Sequence, residues 1–215
     1  MGARFLDDEA QAAFKETIED IESGSAVEVV VAMRRASAGY LHANLIVGAA
    51  VAFASLAAML FADTSFGLVA ILVDPFVVGA VAGALVELLP LVKRVLTPGR
   101  VRRRHVDHAA RAAFVDRGVH NTVDRSGLLV YVSWLEQQIA LVADSNLSRE
   151  FTPEALHAAE TALTAAMSSG GVAVARELAK LGDAFGVAMP RRAGDLNELP
   201  DAIDSDLARS RKGRT

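Results

Sequence analysis

The stretch Ala26 to Arg35, AVEVVVAMRR, decides how this chain folds. Val27, Val29, Val30 and Val31 make a β-branched run that reads as a buried strand. One strand cannot satisfy its own backbone groups. Yet within about ten residues the chain enters a segment apolar enough for a bilayer. The remaining strands must therefore lie beyond that segment.

The bulk numbers agree with a chain of two characters. Of its 215 residues 52% are hydrophobic, and the excess sits between Leu41 and Val92. A net charge of -4 argues against a nucleic-acid partner. There is no cysteine, which removes disulfides, cysteine-ligated zinc, iron–sulfur clusters and thiol chemistry. The opening MGARFLDDEAQ has no apolar core before a cleavage site, and Leu6 stands where a myristoylation motif wants Ser or Thr. Neither a signal peptide nor a lipid anchor is expected from it.

Residues 41–95 read as a transmembrane hairpin, with spans at about 43–62 and 73–92. Ala43 to Ala62 carries no charge over a length that covers roughly 30 Å of hydrocarbon. The second span contains Asp74, Pro75 and Glu87. Counting back from Lys93 puts Asp74 at the far membrane boundary, where Asp caps a helix and Pro fits its first position; the sequence leaves open whether the span begins at Pro75 or is kinked there. Glu87 lies close enough to Lys93 and Arg94 to pair near the interface. Gly48 with Ala52, and Gly79 with Gly83, have the spacing of close helix packing. They suit packing of the spans on each other, or self-association of copies through Gly79 and Gly83. Arg34 and Arg35 precede the first span, and Lys93, Arg94, Arg100, Arg102, Arg103 and Arg104 follow the second, while the connection has no Lys or Arg. The positive-inside rule then expects a cytoplasmic (inner) membrane protein with both termini cytoplasmic.

With both soluble pieces on one side, they complete one domain. Residues 5–40 supply a helix, with Phe14, Ile18 and Ile21 on one face, and the strand. Residues 100–190 supply an amphipathic helix ending at Gly118, β-segments at Gly127 to Val132 and Gln137 to Ala143, and two more helices. Thr152 and Pro153 mark the start of the first of these. Residues 191–215 read as a polar, extended tail. The expected fold is an α/β domain, a small mixed sheet flanked by helices, interrupted by the inserted α-helical hairpin.

Two runs carry a family likeness. In IESGSAVEVVVAMRR, Glu22, Ser25 and Glu28 make an E-x-x-S-x-x-E run leading into a strand. In GVHNTVDRSGLLVYVSWLEQQIALVAD, Thr122, Arg125, Ser126 and Gly127 make a T-x-x-R-S-G run leading into two β-segments. With the closing GDLNELPDAI, these resemble the TPM domain, in its bacterial membrane-protein branch, over about Ile18 to Ile203. The resemblance implies a helix-flanked sheet with a two-span hairpin after the first strand. It also implies candidate activities. Some members of the family bind calcium through acidic loop residues, and some plant members have been called acid phosphatases. Asp124 and Asp144 match loop positions where metal-binding members carry acids, although Ser126 stands where Asn often precedes the Gly.

The residues themselves point to no catalytic constellation. There is no phosphate-binding Gly-rich loop and no G-x-S-x-G elbow. His105, Asp107 and His108 sit on one helix, but three arginines precede them and disfavour a cation. The basic run offers Arg100, Arg102, Arg103 and Arg104 to anionic lipid. The leading expectation is a membrane-anchored cytoplasmic module that binds or scaffolds a protein partner, with catalytic residues unknown. The alternatives are a calcium-dependent, phosphatase-like hydrolase using Asp124 and Asp144, and a small oligomeric channel or transporter built on the hairpin.

Overall fold

The computed structural model describes residues 5–191, 198–199 and 203–207. Much of the expected tail, 191–215, lies outside them. Two compact units emerge: residues 1–37 with 103–215, and residues 38–102.

The first unit is the α/β domain. Helix α1 (Asp8–Gly24) starts where the Asp7 carboxylate accepts the Ala10 N–H at 2.9 Å. Asp8 and Glu9 then lie in the first turn, where the helix dipole favours negative charge. Phe14, Ile18 and Ile21 repeat at helical spacing and are fully buried. Strand β1 (Glu28–Arg34) follows directly.

The β1 run is answered by β2 (Gly127–Ser133), β3 (Gln138–Ala143) and β4 (Asp204–Ser205). They form a four-stranded sheet in the order β3-β2-β1-β4. β1 runs parallel to β2, with Glu28 opposite Gly127 and Arg34 opposite Ser133. β2 and β3 are an antiparallel pair. Parallel neighbours require a long crossover, and here the whole of residues 35–126 provides it. Val29 and Val31 pack in one core cluster, while Val30 and Ala32 pack in another on the opposite face. Both faces of the strand are covered, which is why it is continuously apolar rather than alternating.

Helix α5 (Gly99–Asp116) covers one face through Val106 and Ala110. The other face is covered by α1, α7 (Pro153–Ala166) and α8 (Gly171–Ala188), the last contributing Val174, Leu178 and Phe185. Thr152 does cap α7, its hydroxyl accepting from Ala155 N–H at 3.2 Å, with Pro153 in the first turn. A short helix, α6 (Leu147–Glu150), links β3 to α7.

The tail contributes β4. Ala32 pairs with Asp204 and Met33 with Ser205, where the sequence suggests only a polar extended segment. Arg34 donates to the Asp204 carbonyl at 3.0 Å, and the Asp204 carboxylate pairs with both Arg34 and Arg117. At the opposite edge, β3 is sealed by side chains. Ile139 N–H donates to Thr164 at 3.0 Å, Leu141 N–H donates to Glu160 at 2.8 Å, and Arg103 donates to the Ile139 carbonyl at 2.9 Å. Capped in this way, the edge does not offer a ladder for a further strand.

The second unit contains α2 (Leu41–Phe61), α3 (Leu68–Leu85, with a 3-10 turn at Val86–Leu88) and short α4 (Pro90–Leu96). α2 and α3 with its turn, Leu41–Phe61 and Leu68–Leu88, are long and apolar enough to cross a membrane. The first matches the expected span closely and the second does not. α3 begins at Leu68, so Asp74 and Pro75 lie inside it rather than at its start. Pro90 sets this position. Proline disfavours the helical conformation for the residue before it, and Leu89 is indeed non-helical at φ -115°, ψ 80°. The long helix ends before that point and is correspondingly displaced toward the N-terminus. Pro75 has no N–H, so the helix continues through it with one intrahelical bond missing.

Candidate functional site

The two motif runs meet at one end of the sheet, because the register sets Glu28 opposite Gly127 and Leu128 opposite Ala143. Most of their polar groups serve the backbone. Glu22 accepts the Val29 N–H at 3.0 Å, at the start of the strand. The Ser25 hydroxyl donates to the Ile21 carbonyl at 2.7 Å and accepts from Val27 N–H at 3.3 Å. Glu28 accepts the N–H groups of Glu198 and Leu199, each at 3.2 Å. The E-x-x-S-x-x-E run therefore ties a helix end to a strand start and to the tail.

The T-x-x-R-S-G run has an equally local explanation. Thr122 is buried and its hydroxyl accepts the Ser126 N–H at 3.0 Å. Arg125 adopts a left-handed backbone, φ 51°, and its guanidinium donates to the His120 carbonyl at 2.7 Å. Gly127 is required by a close approach: a Cβ there would lie 2.2 Å from the Val119 carbonyl oxygen.

Asp124 and Asp144 lie on neighbouring loops of this same sheet end. Asn146 joins the loops, its side-chain amide donating to the Asp124 carbonyl at 2.6 Å and its N–H to the Arg125 carbonyl at 3.2 Å. Asp144 is 7% exposed. Its Oδ1 accepts the Ser145 N–H at 2.6 Å, whereas its buried Oδ2 has no hydrogen-bond partner among the described residues. Among the described residues no three His, Cys, Asp or Glu gather as a metal cluster. Calcium wants six to eight oxygens, more than these two carboxylates supply. His105 and His108 gather no metal set either, and the intervening Asp107 is paired with Arg103 at 2.9 Å.

The opposite end of the sheet holds a polar cluster that the sequence does not reveal. Glu136 is 1% exposed, in the β2–β3 turn. It accepts the Ser133 hydroxyl at 2.5 Å and the Ser37 N–H at 2.9 Å. The Ser37 and Ser133 hydroxyls lie 2.7 Å apart, and Ser37 also donates to the Tyr131 hydroxyl at 3.4 Å. Burial raises the Tyr131 pKa above the usual phenol value. Nearby, burial and then the charge of Arg34 press the Arg117 guanidinium below its ordinary value. A serine beside a carboxylate resembles an activated nucleophile, but Ser133 is fully buried and out of a substrate's reach. Only a long-range register brings Ser37 to Glu136, so no local motif marks the cluster.

The remaining candidates are also placed. Arg103 is not a free headgroup ligand, since it pairs with Asp107 and with the Glu160 carboxylate while bonding the β3 edge. Arg100 and Arg104 are exposed. Glu87 has partners, Lys93 at 2.6 Å and the Asn44 amide at 2.9 Å. Gly79 and Gly83 are buried against α2: a Cβ on Gly79 would lie 2.6 Å from the Gly48 carbonyl oxygen, and one on Gly83 2.8 Å from that of Asn44. Both glycines thus serve packing within the chain.

The fold places the first unit among helix-flanked mixed α/β domains, with a four-stranded sheet between helical layers. No family model and no curated protein matches the sequence. Among solved structures, the chain is similar to the NMR structure of the BA42 protein from the psychrophilic bacterium Bizionia argentinensis. The two share 15% identity over 93% of this chain and 94% of that one, with a TM-score of 0.56. At that identity the likeness concerns fold alone.

Proposed function

We propose that this protein is a TPM-type module anchored by α2 and α3 in the cytoplasmic membrane, with its α/β domain and both termini in the cytoplasm, where it binds or scaffolds a protein partner. The observation that carries the anchor is the near absence of protein cover over α2, of which only Ala43 is buried. Leu45, Phe53 and Phe61 on that helix are 63%, 73% and 87% exposed. Such a surface is a liability in water and ordinary in lipid.

The cysteine-free chain makes the topology simple to test. Glu9→Cys and Asp63→Cys are labelled separately in intact cells with a membrane-impermeant maleimide. Asp63→Cys is expected to react directly, and Glu9→Cys only after permeabilisation. Equal labelling of both before permeabilisation sinks the topology. The non-enzymatic part fails if purified protein turns over phosphoesters and Asp124→Ala abolishes the turnover.

A second reading, cation binding at the Asp124 and Asp144 loops, is favoured by one specific observation: the buried, unpartnered Oδ2 of Asp144. Ligand that binds only the native state raises its unfolding midpoint. A saturable calcium-dependent rise that disappears in Asp144→Asn supports this reading. No shift at millimolar calcium removes it.

A further inference from the structure

We propose that the outward face of α5, carrying Arg104, His108 and Arg111, seats on the anionic phospholipid headgroups of the bilayer that holds the hairpin. The proposal rests on the membrane reading above. Val106 and Ala110 turn the opposite face of this helix into the core against the sheet. Arg104, His108 and Arg111 recur at helical spacing and are all exposed, so they form one stripe about 10 Å long. Arg100 lies one turn earlier on the same helix, and Val115 one turn later.

The structure divides the cations of this segment into two groups. Arg103 turns toward the β3 edge, where Asp107 and Glu160 neutralise it. Arg117 is paired with Asp204. Arg104 and Arg111, by contrast, have no ion-pair partner among the described residues. The stripe positions Arg100, Arg104, His108, Arg111 and Val115 hold no acid. The chain as a whole carries a net charge of -4. This positive face is therefore a local arrangement and not a general excess of base.

Two features select lipid headgroups over another polyanion. The first is tethering. α4 ends at Leu96 and α5 begins at Gly99, so the chain holds Arg104 within about 20 Å of the end of α4. With the hairpin in the bilayer, headgroups are an intramolecular partner rather than one met by diffusion. In the proposed topology they belong to the cytoplasmic leaflet, whose anionic lipids attract cations close to a membrane span. The second feature is Val115, 61% exposed at the end of the stripe. An apolar side chain beside cations suits a surface with acyl chains beneath its phosphates. It offers no hydrogen bond to the sugar-phosphate backbone of a nucleic acid.

The test uses the cysteine-free full chain with a spin label at Val115→Cys, in nanodiscs of phosphatidylcholine alone or mixed with phosphatidylglycerol. In the mixed discs the label is expected to gain several-fold in accessibility to lipid-dissolved oxygen. The gain should vanish at about 1 M salt, where screening shortens to about 3 Å. A label at Thr161→Cys, exposed on α7 across the sheet from α5, should stay aqueous in both. Each arginine near an anionic surface is worth roughly five-fold in the seating equilibrium. Arg104→Gln with Arg111→Gln should therefore abolish the gain, and Arg104→Lys with Arg111→Lys should keep it. Lys15→Gln with Lys180→Gln removes the same charge from other helices and should change nothing. No gain in the mixed discs, or a gain indifferent to Arg104 and Arg111, overturns the proposal. Capture of an oligonucleotide through the same two arginines, with no gain from phosphatidylglycerol, means the stripe serves nucleic acid and overturns it too. Failure of the chain to enter the nanodiscs at all is a different failure, because it removes the membrane reading beneath the proposal.

Discussion

In the hairpin, α2 and α3 meet at Gly48, Gly79 and Gly83, where backbone lies against backbone and the large side chains point away. In the α/β domain, α1 meets the sheet through Phe14, Ile18 and Ile21, all essentially without exposed surface. Each arrangement suits a different solvent. In water the gain comes from removing apolar area, so large side chains turn inward. In lipid that gain between helices vanishes, and close approach of small residues provides the contact instead. One chain uses both strategies in separate units, which supports the proposal that they occupy separate media.

The comparison breaks first at Phe14. Phe14→Ala opens a cavity in the domain and should lower its stability by about 3–5 kcal/mol. The measurement is a denaturant titration followed by the fluorescence of Trp134, whose ring lies 5.1 Å from that of Phe5 in the same domain. Val77→Ala, a truncation on the 54% exposed outer face of α3, should leave that transition where it was. An equal loss from both substitutions would mean the hairpin surface is buried in a water-soluble core.

The converse substitution is Gly79→Leu. Its Cβ would stand 2.6 Å from the Gly48 carbonyl oxygen, so the helices must part. Overpacking of this kind costs about 1–3 kcal/mol or more, and the domain transition should not move. Spin labels at Ala50 and Val81 should read a longer separation than in the unsubstituted hairpin. An unchanged separation would show that the glycines do not set the contact.

How much of this was legible in the sequence depends on how local each cause is. The buried run of β1, the Thr152–Pro153 start of α7 and the first apolar helix follow from neighbouring residues, and the structure shows them. Asp74–Pro75 suits either a helix start or a point inside a helix, and the structure has it inside, with Pro90 fifteen residues later bounding the helix end. β4 is only Asp204–Ser205 and exists because Arg34, Arg117 and the β1 edge hold it, none of which its own composition signals. Arg103 looked like one more basic residue for lipid until α7 brought Glu160 beside it. Glu22 and Glu28 show the same limit, as a motif names residue types but not whether they bind a ligand or a backbone N–H.

Glu160 offers a smaller test on the domain side. Glu160→Ala strips the acceptor from Leu141 N–H and the partner from Arg103, which should cost about 1–3 kcal/mol. It also unseals the β3 edge, so concentration-dependent association by light scattering should accompany the loss. Glu160→Gln keeps an acceptor for Leu141 and should retain most of the stability. If alanine and glutamine behave alike, the ion pair with Arg103 and not the edge seal is the important bond.

The smallest effect concerns Tyr131, buried in the core between α5 and the sheet. Burial raises its folded-state pKa, so near pH 10 and above the unfolded chain releases the phenolic proton first. The folded state then binds more protons than the unfolded state, and stability falls as pH rises. The contribution is fully present below the unfolded value and is lost as pH climbs through the folded one. Tyr131→Phe should flatten this alkaline slope while leaving the neutral-pH transition nearly in place, because among the described residues the hydroxyl makes only the long 3.4 Å bond with Ser37. An unchanged slope in Tyr131→Phe would assign the alkaline loss to another group. A large loss already at neutral pH would mean the Ser37–Tyr131 contact is stronger than its length implies, and that this polar end of the sheet is as rigid as the apolar core.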